Sequence, residues 1–268
     1  MTGLPGRISR AAATTLFASA VGGAALLAGE AIAARSRRYA KPTMGLALRT
    51  SMGPTSAPTL RMVLLGDSAA IGVGVEWLSE TVGGQLARLL AEGTQESGPR
   101  HVLLSSVGVA GSRSTDLATQ VARALLGDRP DVAVVLIGAN DATGLRSAEE
   151  SAVHLGNAVR RLRDAGVQVV VGTCPDLGAT RSIAQPLRQV TGWLGRRMAR
   201  AQALSVTESG GTVVDLGEET GAVFRADAGT LCYDGFHPSA DGYRVWAHAL
   251  YPAVFDAAQA AGRRSIQD

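Results

Sequence analysis

Aromatic side chains are scarce. Three Trp, four Tyr and four Phe make up 4% of the 268 residues, so Ala, Val, Leu and Gly must build the core. Cysteine is almost absent, with Cys174 and Cys232 the only two. They leave room for one disulfide, which would pin the Asp234–His237 loop, or for two free buried thiols, since sequence does not give the Cα separation a bridge needs. No His/Cys/Asp/Glu cluster has zinc spacing, and no glycine-rich run matches a Walker or dinucleotide loop, so no metal and no cofactor is implied. Charge of one sign does not dominate: 26 Lys+Arg against 23 Asp+Glu leave a net +3. So small a net charge does not suggest a nucleic-acid binder. Neither an internal repeat nor a low-complexity tract is present.

Much of the basic excess sits early, and it brackets an uncharged run. Arg7 and Arg10 precede a stretch from Ala11 to Gly29 without charge, followed by Ala31-Ile32-Ala33, a small-x-small cleavage pattern. Residues 1–34 therefore read as a signal peptide or an N-terminal membrane anchor. The run is near the ~20 residues that a span requires, but Ala, Gly, Ser and Thr would make it a weak one. Arg35, Arg37, Arg38 and Lys41 just after it fit the positive-inside rule poorly for an anchor with its N-terminus inside. An exported protein is expected, secreted or held at the cell envelope, with membrane association through this segment left open. Residues 35–59, basic and then punctuated by Pro42, Pro54 and Pro58, read as a linker. A single domain over 60–258 and a tail over 259–268 complete the chain, which is expected to be a monomer.

Within that domain, short apolar runs alternate with helical patterns. The runs are Met62–Leu65, Val102–Leu104, Val132–Ile137, Val167–Val171 and Thr212–Leu216. Several are apolar on consecutive residues, as strands buried on both faces should be. Between them, Val82, Leu86, Leu89 and Leu90 share one helix face, as do Leu117, Val121 and Leu125, and Leu155, Val159 and Leu162. Ser147 with Glu150 makes a capping box, Pro186 suits the first turn of a long fourth helix, and Tyr243, Ala247, Leu250 and Val254 mark the last. Strict alternation predicts an α/β fold, a parallel sheet with helices on both faces. Such sheets bind ligands beyond the carboxyl ends of their strands.

The polar motifs fall there. Gly66-Asp67-Ser68-Ala69 closes the first run, Gly108-Val109-Ala110-Gly111 follows the second, Gly138-Ala139-Asn140-Asp141 the third, and Asp234-Gly235-Phe236-His237-Pro238 lies after the fifth. A serine is a poor nucleophile unless a base takes its proton, and an imidazole steered by a carboxylate is such a base. Of the four histidines, His101 begins a strand and His154 and His248 fall in helices; only His237 lies in a Gly/Pro-punctuated loop. Alone, Ser68 would pass for a helix N-cap and Asp234-Gly235 for a turn. Ala70 stands where Gly-x-Ser-x-Gly needs its second glycine, against an α/β-hydrolase nucleophile elbow. Asp67 and Asp141 read as local backbone ligands, and Trp77 as a core residue in preference to an acyl-pocket wall.

Together the four blocks resemble the SGNH hydrolase family, also called GDSL esterases/lipases, in particular exported actinobacterial members, over about residues 60–258. The resemblance implies a three-layer α/β/α sandwich with a five-stranded parallel, flavodoxin-like sheet. It implies a serine esterase with Ser68 as nucleophile, His237 as general base and Asp234 as its orienting carboxylate. The oxyanion hole would comprise the Ser68 and Gly111 backbone N–H groups and the Asn140 side-chain amide. The Asn that often precedes the family's Gly-x-x-Gly stretch is replaced here by Ser106 and Val107, which leaves Gly108 as a rival to Gly111. Mostly short loops favour a shallow site and short acyl chains on a small-molecule, lipid or carbohydrate ester. An acyltransferase or deacetylase acting on sugar or lipid hydroxyls would use the same residues. A catalytically silent carbohydrate- or lipid-binding module would not need the whole set.

Overall fold

The computed structural model describes residues 5–43, 48–95 and 97–264. It begins with helix α1 (Pro5–Ser36) and strand β1 (Arg49–Met52). The alternating part follows: β2 (Thr59–Gly66), α2 (Val82–Glu92), β3 (His101–Ser106), α3 (Leu117–Ala124), β4 (Val132–Leu136), a one-turn α4 (Ala139–Thr143), α5 (Ala148–Asp164), β5 (Gln168–Gly172), α6 (Leu187–Glu208), β6 (Thr212–Val214), α7 (Leu216–Ala226) and α8 (Ala240–Arg264).

The sheet order is β1-β3-β2-β4-β5-β6, with β2 to β6 all parallel. These five are the strands expected from the apolar runs, and their order is the flavodoxin-like one. Central strands are buried on both faces because helices cover both: every residue of β4 is buried. One core cluster joins Met62, Leu64, Val134 and Val170 to Leu86 and Leu90 of α2 and to Tyr243, Leu250 and Val254 of α8. A second joins Val63, Leu65, Val135 and Val171 to Leu117 and Val121 of α3 and Leu155, Val159 and Leu162 of α5. Side-chain alternation in the strands sends neighbouring residues to opposite clusters.

Four departures from the sequence reading stand out. The sixth strand, β1, pairs antiparallel with β3, Arg49 opposite Ser105 and Met52 opposite Val102. It lies inside the segment read as a linker, and its Arg-Thr-Ser-Met composition reflects an edge position with one half-solvated face. Helix α7 begins at Leu216, where the fifth apolar run was expected to continue; Asp215 caps it by accepting from the Glu218 N–H. Helix α8 runs on to Arg264, past the expected end of the domain. Trp77 is 67% exposed, neither core nor pocket wall. Among the described residues no helix is long and apolar enough to cross a membrane.

Candidate active site

The end of β2 turns sharply because Gly66 takes a φ of 136°, and a Cβ there would lie 1.8 Å from the Leu136 carbonyl oxygen. The turn is clamped from outside by Gln120, whose Oε1 accepts from the Gly66 N–H at 2.7 Å and whose Nε2 donates to the Gly66 carbonyl at 2.9 Å. Ser68 therefore projects from a fixed backbone, its own carbonyl accepting from the Val73 N–H at 2.9 Å. No helix starts at Ser68, as a strand-to-helix turn would require: tight turns lead to α2, which Thr81 caps.

The last motif folds over this turn. His237 Nε2 lies 3.1 Å from Ser68 Oγ, and His237 Nδ1 lies 2.7 Å from Asp234 Oδ2. The His237 side chain is 11% exposed and that of Asp234 fully buried. The loop is shaped around the carboxylate: Asp234 Oδ1 accepts from the Phe236 N–H at 2.7 Å, the His237 N–H at 2.9 Å and the Cys232 thiol at 3.2 Å. Oδ2 accepts a further bond, at 2.9 Å, from the N–H of Ala40. Burial alone would raise the pKa of Asp234, but the bonds from His237, Ala40 and Phe236 outweigh it and hold the carboxyl well below the usual carboxylate range. Asp234 is thus ionised at neutral pH. It can only accept, so Nδ1 carries the imidazole proton and Nε2 is left to accept from Ser68. Both cysteines are free; burial pushes the Cys232 thiol up to about 11, so it remains a donor to Asp234.

The remaining candidates surround Ser68 at the carboxyl ends of β3 and β4. Gly111 has a φ of 80° and is exposed, with open space where a Cβ would stand. Gly108, by contrast, packs against the turn, with a Cβ there 2.9 Å from that of Ala70. Gly111 is therefore the glycine that presents its backbone to the cleft. Among the described residues neither the Ser68 N–H nor the Gly111 N–H is engaged by another group. Asn140 Nδ2 donates to the Ser112 carbonyl at 3.0 Å and approaches Asp67 Oδ2 at 3.4 Å. Asp141 holds this arrangement together by accepting from the Ser114 N–H and hydroxyl and from the Ser151 hydroxyl. Of the five sequence-predicted residues, Ser68, Gly111, Asn140 and His237 thus line one cleft, and Asp234 lies buried behind His237.

Asp67 is buried beside them, and desolvation raises its pKa to about 6 despite the Ala69 N–H it accepts and the nearby His237. The folded protein holds this proton more tightly than the unfolded chain. Stability is therefore undiminished below about pH 4 and falls as pH rises through the folded value. Asp67→Asn should remove that fall. The mutant-minus-wild-type difference in Tm should grow more positive between pH 4 and pH 7; a difference independent of pH would contradict the account.

Two spaces adjoin Ser68. A cavity of about 60 Å³ between the sheet and α7–α8 is lined by Ser68, Leu136, Leu216, Phe224, Trp246 and His237 among others. A wider cleft of about 530 Å³ carries Ser68, Gly111, Arg113, Asn140 and His237 on one side and Ala31, Ala34, Arg35, Tyr39 and Ala40 on the other. Tyr39 and Ala40 gave no signal in sequence, since their contacts lie almost two hundred positions away. Gln120 did leave one: it is polar on the same face of α3 as Leu117 and Val121, and it is 2% exposed.

Comparison with known proteins bears on the family and the fold. The family model of the GDSL-like lipase/acylhydrolases matches residues 64–245. The chain is 42% identical over 200 residues to the GDSL-like esterase Rv1075c of Mycobacterium tuberculosis, a match covering 74% of this chain and 62% of that protein. Two solved structures share the fold. A member of the lipolytic G-D-S-L family from Veillonella parvula is 16% identical, with 72% of this chain and 97% of that one covered and a TM-score of 0.55. A mutant of Axe2, an acetyl-xylooligosaccharide esterase from Geobacillus stearothermophilus, is 18% identical, with 76% and 95% covered and a TM-score of 0.55. With its motifs in family order and the family model spanning most of its sheet, this chain belongs to the GDSL-like lipase/acylhydrolases, the SGNH hydrolases.

Proposed function

We propose that this protein is a serine esterase that cleaves short-chain acyl esters through an acyl-enzyme on Ser68. The observation that carries the reading is His237 bridging Ser68 and Asp234, at 3.1 Å and 2.7 Å. Ser68 Oγ attacks the ester carbonyl carbon while His237 Nε2 takes its proton. The carbonyl oxygen, now an anion, accepts from the Ser68 N–H, the Gly111 N–H and Asn140, each such donor contributing roughly 2.7–4 kcal/mol to barrier lowering. Asp234 steadies the imidazolium. Collapse expels the alcohol, which leaves with the His237 proton. Water then repeats the sequence on the acyl-enzyme, giving its proton to His237 and releasing the acid, and Ser68 regains its hydrogen.

The two spaces divide the ester. The small apolar cavity beneath Ser68 suits the acyl group, and the open cleft suits the alcohol. The cleft has room for a sugar, the kind of ester the Axe2 neighbour is named for. A sugar or lipid hydroxyl seated there in place of water would make the same machinery an acyltransferase, which product analysis with added acceptor separates from hydrolysis. Export also belongs to this reading, supported by Arg7, Arg10, the uncharged run and Ala31-Ile32-Ala33. Cleavage after Ala33 would remove Glu30 and Ala31 but leave Tyr39, Ala40 and Thr43, with the contacts of Ala40 and Thr43 to the domain.

A p-nitrophenyl ester series from acetyl to octanoyl tests the function. A cavity of about 60 Å³ admits only a few heavy atoms. A longer chain must force the packed walls apart, at about 1–3 kcal/mol. kcat/KM should be highest between acetyl and butyryl and lower by about ten- to a hundredfold at octanoyl. Absence of turnover on every ester would reject the esterase reading, and a maximum at octanoyl would reject the acyl-site assignment.

A further inference from the structure

The N-terminal segment lies outside the residues matched by the family model, 64–245, yet it reaches the centre of the site. Three contacts with the domain hold it there, and a fourth ties it back on itself. Glu30 accepts from the Leu187 N–H at 2.8 Å, fixing the end of α1 against α6. The Tyr39 hydroxyl donates to the Ala34 carbonyl at 2.9 Å, tying the segment back to that helix end. Ala40 packs against the small cluster of Leu48, Ile71 and Val73. The Thr43 hydroxyl donates to the Val75 carbonyl at 2.9 Å.

Between these anchors the chain touches the catalytic loop twice. The Ala40 N–H donates to Asp234 Oδ2, the oxygen that also accepts from His237. Every other donor to Asp234 among the described residues comes from its own loop, Cys232 to His237. The Tyr39 ring meets Phe236 edge-on at 5.5 Å and His237 at 6.4 Å. A buried carboxylate fixes an imidazole only if its own rotation is fixed, and a donor from a separate element does that more firmly than donors that move with the loop.

We propose that residues 39–43 are a working part of the catalytic site, in which the Ala40 N–H positions Asp234 and Tyr39 packs over the His237 loop. This rests on the reading of Ser68, His237 and Asp234 given above. Ala40 is a positioning residue that acts through Asp234 and touches no reacting atom. Hydrolysis then depends on a strap that lies outside the family core.

The test uses the full chain. Ala40→Pro deletes the N–H, since proline has none, whereas Ala40→Gly deletes only the methyl. On p-nitrophenyl acetate, Ala40→Pro should lower kcat by about ten- to a hundredfold, the range for losing a hydrogen bond to a charged group. KM should stay within about twofold, because the bond serves the chemical step and not ground-state binding. Ala40→Gly keeps the N–H and loses only the methyl that packs on Leu48, Ile71 and Val73, so it should lower kcat far less than Ala40→Pro. In an Asp234→Asn background, Ala40→Pro should cost almost nothing further, because the group it acts through is already gone. An equal loss in both backgrounds, or an unaltered kcat in Ala40→Pro, overturns the proposal. Should Ala40→Pro fail to fold, Tyr39→Ala decides: a kcat reduced at unchanged KM supports the strap, and wild-type kcat rejects it. Failure of the reading on which this rests would look different: the wild type would then hydrolyse no ester, or Ser68→Ala would remain as active as wild type, whatever Ala40 does.

Discussion

Ser68→Ala should bring ester hydrolysis down by about 10⁵–10⁶-fold, to the level that the oxyanion donors and substrate binding sustain without a nucleophile. The substitution removes one hydroxyl. Its contact is with His237 Nε2 at 3.1 Å, and the backbone of the turn is held by other groups, Gln120 on Gly66 and the Ser68 carbonyl on the Val73 N–H. Tm should therefore move by no more than a few degrees, and the lost activity cannot be ascribed to unfolding. A fluorophosphonate, which traps an activated serine, should label the wild type stoichiometrically and leave the mutant unlabelled. Turnover by the mutant at more than a few per cent of wild type would end the assignment of Ser68 as nucleophile. The same experiment rejects the silent-module alternative, because a binding module has no reason to react with the reagent at Ser68 and nowhere else.

What the sequence disclosed and what it withheld divide along physical lines. The parallel strands were legible because burial on both faces forces consecutive apolar residues, as in Val132-Ala133-Val134-Val135-Leu136. The position of the site followed from topology, since all the motifs end up at the carboxyl ends of these strands. Gly111 separates from Gly108 only in three dimensions: one faces open space and the other Ala70. Strand β1 was hidden because Arg49-Thr50-Ser51-Met52 carries neither a buried run nor a strong alternation, and its pairing with β3 spans some fifty residues. Its neighbours Pro42, Pro54 and Pro58 look like linker composition, yet prolines also tolerate the edge of a sheet. The Ala40–Asp234 bond was invisible for a deeper reason. A backbone N–H is the same in every residue but proline, so no side-chain pattern announces where it points.

The other large effect concerns the base and its partner. His237→Ala should lower kcat by about 10⁵–10⁶-fold, close to the loss in Ser68→Ala, because a serine without a proton acceptor is no longer an effective nucleophile. Combining the two should cost little more than either alone. Asp234→Asn should cost less, about 10⁴-fold, but it should also destabilise the protein, which His237→Ala should do far less. The difference arises from hydrogen-bond counting. Both carboxylate oxygens accept here, Oδ1 from the Phe236 and His237 N–H groups and Oδ2 from His237 Nδ1 and the Ala40 N–H. An amide has only one acceptor oxygen, so its NH₂ must face a pair of donors whichever way it turns. Facing His237, it forces the imidazole into the wrong tautomer; facing the loop, it opposes the turn that carries His237. The stabilising contribution of Asp234 has a definite pH range as well. Its folded-state value is depressed, so the contribution is present above about pH 4 and is lost as pH falls toward the folded value. Thermal unfolding of wild type and Asp234→Asn should accordingly differ most near neutral pH and converge in acid. A gap that stays constant down to pH 2, or an Asp234→Asn variant as stable as wild type at pH 7, would mean that the carboxylate is not held by the contacts described.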